Sequence, residues 1–367
     1  MSRNATAAVV REPGGVFTLE TVELDDLHAG EVFVRILAAG VCHTDMMAQF
    51  LTPLPAVMGH EGMGVVEEVG PAVEGFEPGD RVLISWPSCA SCASCLSGEP
   101  YLCESGDRMY FSGRRLDGSQ TMKLNGQWIS GAFFQQSSFA TRSIATARAL
   151  VKLHDDGLEP GLLAALPCGV MTGAGAVLNS LKLSASDDLA VIGAGGVGLS
   201  ALMAARVVGV KPLVAVDVVP GRLALARELG ATHTIDASQE DVAESLRAIL
   251  PKGFRYVLDT TSRDESWNAG VKSLAMGGTL AAVNAPPVDT IHFEPLALMV
   301  KGGRFQFILG GSAIPRLFLP RLIEWHKQGI FPLDRLVKTF DFADINAAFA
   351  ESQAGTAIKP VLLMPSV

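Results

Sequence analysis

Two rhythms of apolar and polar residues divide the chain. Up to about residue 150, short runs of apolar positions are cut by Gly, Pro and Asp: Glu31-Val32-Phe33-Val34-Arg35-Ile36, Gly64-Val65-Val66-Glu67-Glu68-Val69 and Arg81-Val82-Leu83-Ile84, the last led in by Glu77-Pro78-Gly79-Asp80. Such punctuation predicts short strands, in a small barrel or sandwich rather than βαβ units. From about residue 188 the pattern changes. Leu189-Ala190-Val191-Ile192 is wholly apolar, Gly193-Ala194-Gly195-Gly196-Val197-Gly198 follows, and a helical pattern runs to Val208. Val214-Ala215-Val216 predicts the next strand and a helix follows, ending near Gly230; Thr234-Ile235, Tyr256-Val257-Leu258 and Leu280-Ala281-Ala282-Val283 come after, with helical patterns between. Strands buried on both faces read as continuous apolar runs, and their alternation with helices predicts a doubly wound parallel sheet. The last stretch reads as a strand from Arg304 to Leu309, a long helix from Pro315 and a short terminal strand that returns to the first domain.

Length supports this division: 367 residues exceed one typical domain. With 49% apolar and 18% charged residues the chain is not disordered. A net charge of −9 gives it no electrostatic attraction to nucleic acid or to an anionic membrane. The segment from Pro160 to Leu181 carries no charge and is long enough to span a bilayer. Its two prolines and four glycines instead predict a buried loop and helix. No apolar run follows the basic residue near the start, so these residues do not read as a secretory leader, and the sequon Asn4-Ala5-Thr6 reads as chance.

Cysteines change the picture more. Four fall together as Cys89-x2-Cys92-x2-Cys95-x7-Cys103. Four thiolates in one loop can close a tetrahedral site, and zinc accepts that geometry. An iron–sulfur cluster is the rival, although ferredoxin spacing uses a shorter last gap and a following Pro; incidental thiols are the bland alternative. With four thiolates to fill a tetrahedral shell, such a site is closed and structural. Gly193-x-Gly195-x2-Gly198 follows an apolar strand and opens a helix, and Asp217 ends the next strand. The glycines let the backbone approach a pyrophosphate, and the acid can accept from an adenosine ribose while repelling a 2′-phosphate, which favours NAD over NADP. The plain alternative is a glycine-rich turn. Cys42, His60, Glu61 and Cys168 are dispersed, and each has a bland reading as core or surface; beside an NAD domain they point to a second metal, whose Cys2His set leaves one position open.

These motifs together resemble a known family. Gly59-His60-Glu61-x2-Gly64-x5-Gly70-x2-Val73, Cys42-His43-Thr44-Asp45, the four-cysteine lobe, Cys168-Gly169 with Thr172-Gly173, and the glycine loop are similar to the zinc-containing medium-chain alcohol dehydrogenases over nearly the whole chain. Phe134-Gln135-Gln136-Ser137-Ser138-Phe139-Ala140-Thr141 and Thr172-Gly173-Ala174-Gly175 resemble the aryl- and allyl-alcohol branch, of the benzyl alcohol dehydrogenase type. The resemblance implies an α/β protein. Residues 1–170 would form a GroES-like β-rich catalytic domain with a structural zinc lobe at 87–105. Residues 171–303 would form a Rossmann NAD-binding domain, and 304–367 the last sheet strand and the return. It implies two zincs per chain: Cys42, His60 and Cys168 on the catalytic one, with Glu61 as a transient ligand or an outer partner, and Cys89, Cys92, Cys95 and Cys103 on the structural one. Asp45 would hold the His60 ring and Thr44 would pass the substrate proton outward. The cofactor would meet His43, Thr172, Gly193, Gly195, Gly196, Val197, Gly198, Asp217, Arg222, Val283 and Lys359, with His43 and Lys359 beside the pyrophosphate, Arg222 facing the ribose, and Val197 and Thr172 against the nicotinamide.

The same resemblance implies reversible oxidation of a primary aryl or allylic alcohol to its aldehyde with NAD+. A glutathione-dependent formaldehyde dehydrogenase, a general aliphatic alcohol dehydrogenase, a nicotinoprotein with tightly held cofactor, and a metal-binding protein without turnover are the competing readings. The pocket would draw on Met47, Trp86 and Ile308, with Met46, Phe50, Leu51, Phe307 and Leu309 nearby; these offer aromatic and thioether surface and almost no charge. Met47 stands where some relatives place a proton-relaying His, the segment from Asp45 to Gly59 is short, and Asn284 replaces a Gly ahead of Pro286-Pro287. A cytoplasmic homodimer associating through the sheet edge between Val283 and Ile308 is expected, with a tetramer as the alternative.

Overall fold

The computed structural model describes residues 3–154, 157–284, 292 and 294–365. It falls into two compact units, one of residues 1–168, 314–324 and 333–367, the other of 169–313 and 325–332.

Among the described residues the first unit holds two sheets. The five-stranded one runs Ala56–Val57, Asn4–Val10, Thr18–Leu24, Met122–Leu124, Gln127–Ile129. In the larger one Glu31–Gly40 is central: it pairs antiparallel with Gly62–Val69, Arg142–Thr146 and the C-terminal strand Lys359–Leu363. The run that alternates in sequence, Glu31 to Ile36, buries Val32, Val34 and Ile36. Valines, alanines, and phenylalanines from both sheets form one core, in which Phe17 packs on Phe349 at 4.8 Å. Lys359–Leu363 pairs with Glu31–Gly40 so that Val361 faces Gly40. This register puts Lys359 beside the turn that carries Cys42.

The second unit is built on six parallel strands, Leu189–Ile192, Leu213–Asp217, His233–Asp236, Phe254–Asp259, Leu274–Ala282 and Arg304–Phe307. Numbered along the chain, their spatial order is 3-2-1-4-5-6, the dinucleotide-binding order. Leu189–Ile192 and Leu213–Asp217 are buried at every residue, as their unbroken apolar runs require. The last strand ends at Phe307 rather than Leu309, and Ile308 makes one further bond to Ala282 O. The charge-free segment is helical from Pro160 to Ser180, and its most apolar window is 78% buried, as in a core helix. It is not a regular α-helix: Leu166–Val170 and Ala176–Ser180 are π turns, a local widening often found at functional sites.

Candidate active site and cofactor loop

In the first unit, three turns deliver the dispersed ligand candidates. Glu31–Gly40 runs out into Cys42, which caps the short helix His43–Met47. Asp45 closes that cap: the Cys42 N–H donates to its Oδ2 at 3.0 Å. The same carboxylate is fully buried and accepts through Oδ1 from the Gly59 N–H at 3.2 Å and from His60 Nδ1 at 2.8 Å. One side chain therefore sets both Cys42 and His60. With the Nδ1 proton turned to the carboxylate, Nε2 is the acceptor. It is buried without a hydrogen-bond partner, a costly state for a polar atom unless a cation takes it.

Cys168 sits in the first π turn, its Sγ 4.0 Å from Cys42 Sγ. Two thiolates on one tetrahedral zinc lie roughly 3.8 Å apart, given Zn–S bonds of ~2.3 Å. The donor atoms of Cys42, His60, Glu61 and Cys168 all fall within 4.8 Å of one another. The hydrogen bond from Cys168 holds the Cys42 thiol well below its ordinary range despite burial, with His60 and Lys359 adding to the effect. That favours the thiolate, the form that ligates. The residues fit a Cys2His zinc.

Glu61 is fully buried, and burial pushes its carboxyl up to about 7 against the neighbouring Lys359. The Lys359 ammonium, also buried, donates to Glu61 Oε2 and to Val41 O at 3.2 Å. Gly40 makes room for this pair: a Cβ there would run into Glu61 Oε2 and the Ala164 carbonyl. The resemblance gave Lys359 to a pyrophosphate; within its unit it is engaged by Glu61.

The other side of His60 is aromatic. Its ring lies over Phe134 at 4.8 Å with a 31° interplanar angle, and Phe133 meets it edge-on at 5.6 Å. Phe134, Gln135 and Ser137 all take φ between 50° and 54°, a left-handed conformation costing non-glycine residues of order 1–3 kcal/mol each. The turn is held by Ser137 Oγ, which donates to Val57 O at 2.6 Å and accepts from Phe133 N–H, and by buried Gln136, whose Nε2 donates to His60 O at 2.9 Å and Ser85 O at 3.1 Å. Sequence reading singled out this run only for its resemblance; its glutamine, an amide among phenylalanines, was the available signal that it ties the site together.

The four cysteines cluster as well, their sulfurs within 4.8 Å of one another and Cys89 Sγ 3.9 Å from Cys95 Sγ. The N–H groups of Ser91 and Cys92 donate to Cys89 Sγ at 3.4 and 3.3 Å. Led by the Ser91 bonds, such donors bring the Cys89 thiol down to about 5. Four convergent sulfurs with no His or acid suit a closed structural zinc.

In the second unit Gly193 has φ +97°, and Gly198 approaches the Gly193 carbonyl so closely that neither position admits a side chain. The helix Gly196–Val208 starts there, with Gly195 as its cap. Asp217, nearly buried, accepts from Ala194 N–H at 2.7 Å through Oδ2 and from Val219 N–H at 2.9 Å through Oδ1, and Arg222 lies 3.8 Å from it. The acid thus pins the glycine loop as well as ending its strand. Asp259, missed by the sequence reading although it too ends an apolar strand, is fully buried and accepts from Trp267 Nε1 at 3.0 Å and from the backbone of Thr261 and Ser262. It shapes the loop whose Thr260 packs on Gly193.

The remaining predicted residues are scattered. Thr44 Oγ1 lies 3.6 Å from Cys42 Sγ, and His43 is exposed. Met47 and Trp86 are half-buried in the first unit, whereas Ile308 is buried in the second. Phe50, Leu51, Phe307 and Leu309 are exposed. Thr172 is buried, Val197 half-buried, and Val283 follows the fifth strand of its sheet. Asn284 donates to Thr260 O; Pro286 and Pro287 lie outside the described residues.

Comparison with known proteins decides the family. Residues 28–155 match the alcohol dehydrogenase GroES-like domain and 196–326 the zinc-binding dehydrogenase domain. Geraniol dehydrogenase of Castellaniella defragrans is 40% identical over 365 residues, 98% of each chain. The chain belongs to the zinc-containing medium-chain alcohol dehydrogenases. Two crystal structures are similar to this dehydrogenase throughout. The alcohol dehydrogenase zinc-binding domain protein from Burkholderia ambifaria has TM-score 0.96 and 40% identity, covering all of both chains. Benzyl alcohol dehydrogenase from Acinetobacter calcoaceticus has TM-score 0.94 and 37% identity, covering 99% of each. Cys42, His60 and the lobe fall in the first matched domain of this dehydrogenase, and Gly198 and Asp217 in the second. Cys168, Gly193 and Lys359 lie outside both matches, so their assignments rest on the geometry above.

Proposed function

We propose that this dehydrogenase oxidises primary aryl or allylic alcohols to aldehydes, reversibly, with NAD+ and two zincs per chain. The observation that carries the reading is the buried, unpartnered His60 Nε2 facing Cys42 and Cys168 sulfurs 4.0 Å apart: three ligands of a zinc with one position left for substrate. Bound there, zinc supplies Lewis-acid polarisation of an alcohol oxygen, and the nicotinamide supplies the hydride acceptor. The chain's own part is positioning and proton handling. Asp45 holds the His60 ring and the Cys42 turn. The Thr44 hydroxyl, 3.6 Å from Cys42 Sγ, accepts the alcohol proton at Oγ1 and donates its own onward. Met47 cannot continue the relay, so the proton leaves through the cofactor ribose, water or the exposed His43. Thr44→Val removes this hydroxyl, and kcat falls about 10²-fold or more; unchanged turnover would show direct proton exchange with solvent.

Asp217, at the strand end beside the glycine loop, disfavours a 2′-phosphate and supports NAD over NADP. The relatives named for geraniol, an allylic alcohol, and for benzyl alcohol support the substrate class. So does the surface of Met47 and Trp86, whose thioether and indole suit an aryl or alkenyl group. With NAD+, kcat/KM for benzyl, cinnamyl or geranyl alcohol is expected at least ~100-fold above ethanol. Burial of several more carbons supplies that at ~0.8 kcal/mol per CH₂. Equal efficiency on ethanol, or NADP used as well as NAD, would overturn the assignment.

Six free cysteines suit a reducing compartment, which supports a cytoplasmic location. The second unit exposes Phe307 on its edge strand and Leu296, Met299 and Val300 on the helix Pro295–Val300. These support a homodimer through that edge. Light scattering is expected to give the mass of two chains; a mass of four would refute it.

A further inference from the structure

The two candidate metal sites of the first unit are joined by a stack of rings. His60 lies over Phe134 at 4.8 Å and 31°, and Phe134 lies on Tyr110 at 4.8 Å and 16°. Tyr110 belongs to the helix Gly106–Phe111, just after Cys103, and packs against the four-cysteine cluster. Its hydroxyl is pushed above its ordinary range by burial first and by the charges of Cys103 and Cys95 next. A second tie runs parallel: Gln135 Nε2 donates to Met109 O at 3.3 Å, and Met109 is buried in the cysteine cluster. The turn Phe134–Ser137 is in turn fixed to the His60 carbonyl by Gln136. Each link is a direct contact of buried or half-buried groups, and offset-stacked rings transmit displacement because they can neither interpenetrate nor part without opening a void.

We propose that Tyr110 and Phe134 are positioning residues that couple the four-cysteine lobe to the catalytic ligand His60, so that the metal of the lobe sets the geometry of the catalytic metal. Asp45 holds the ring at Nδ1 and Phe134 lies against its face, so tilt of the ring is opposed by Phe134, which Tyr110 backs from the side of the lobe. The lobe is therefore more than a staple. This rests on the two-metal reading, which the metal content of the wild-type enzyme tests by itself.

The test uses holoenzyme with Co²⁺ in place of the catalytic metal and zinc in the lobe. The visible bands of Co²⁺ report its ligand geometry, and its release to a chelator reports affinity. Tyr110→Leu and Phe134→Leu are expected to shift the bands and to speed release about 10-fold or more, the scale for partners that orient a metal-bound His. Tyr110→Phe, which keeps the ring, restores wild-type bands and release. Cys95→Ser, which opens the lobe without touching the catalytic thiols, shifts the same bands in the otherwise wild-type protein and causes no further shift beside Phe134→Leu, the non-additivity that defines coupling. Should Tyr110→Leu not fold, Phe134→Leu and Cys95→Ser decide the point. Bands and release rates unchanged by the Leu variants, or catalytic bands indifferent to Cys95→Ser, would overturn the proposal.

Discussion

Cys168→Ser is expected to abolish turnover, to lower the metal content from the two equivalents per chain proposed above to one, and to leave a folded protein. The sulfur lies 4.0 Å from that of Cys42 among the donor atoms of Cys42, His60 and Glu61, so its removal takes away one of the two thiolates that hold the metal. The fold survives because the residues around Cys168 in the helical segment Pro160–Ser180, Leu163 to Leu166 and Val170 to Met171, are held by buried apolar side chains. Cys95→Ser behaves oppositely. It opens a closed four-sulfur site whose metal contributes folding free energy directly, so the thermal midpoint falls while Cys42, His60 and Cys168 still take up their metal. Elemental analysis, circular dichroism and steady-state rates read the two variants apart. One equivalent of zinc in a fully active wild-type preparation would refute the four-plus-three division.

Lys359→Met is expected to destabilise the first unit by about 3–5 kcal/mol, the cost of leaving one member of a buried ion pair without its partner. Both side chains are almost wholly out of solvent, at 6% and 0% exposure for Lys359 and Glu61. The double variant Lys359→Met/Glu61→Gln, which removes both charges, recovers most of the loss, since a buried pair is seldom worth much against a neutral replacement. Thermal midpoints of the metal-loaded proteins check both statements. If Lys359→Met keeps the wild-type midpoint and instead raises KM for NAD+, the lysine serves the pyrophosphate, as the resemblance implied, and not Glu61.

The chemistry of this dehydrogenase was legible in its sequence wherever the motif is local. Cys89 to Cys103 bring four sulfurs together because so few residues separate them. Gly193 to Gly198 follow a wholly apolar strand, so the turn, the helix and the close backbone approach are all dictated within one strand-loop-helix unit. The buried parallel sheet announced itself because strands covered on both faces have no polar phase. The charge-free segment Pro160–Ser180 reads as buried from its prolines and glycines rather than from its apolar composition, which is the same for a core helix and a membrane span, and the 78% burial of its most apolar window agrees.

What the tertiary structure decided are the contacts between residues far apart in the chain. Composition marks Lys359 as one more surface-type lysine. Only the antiparallel register of the last strand on Glu31–Gly40 brings it to Glu61, with Gly40 leaving the space. Asp217 reads as a ribose ligand from its position; its hold on Ala194 appears only when the strand ends are side by side. Tyr110 carries no motif and Phe134 belongs to one only by resemblance, because a ring stack needs orientation rather than spacing, and orientation comes from a strained turn that no local propensity favours. Sequence determines which groups can ligate and which backbone can bend; packing determines which of them meet.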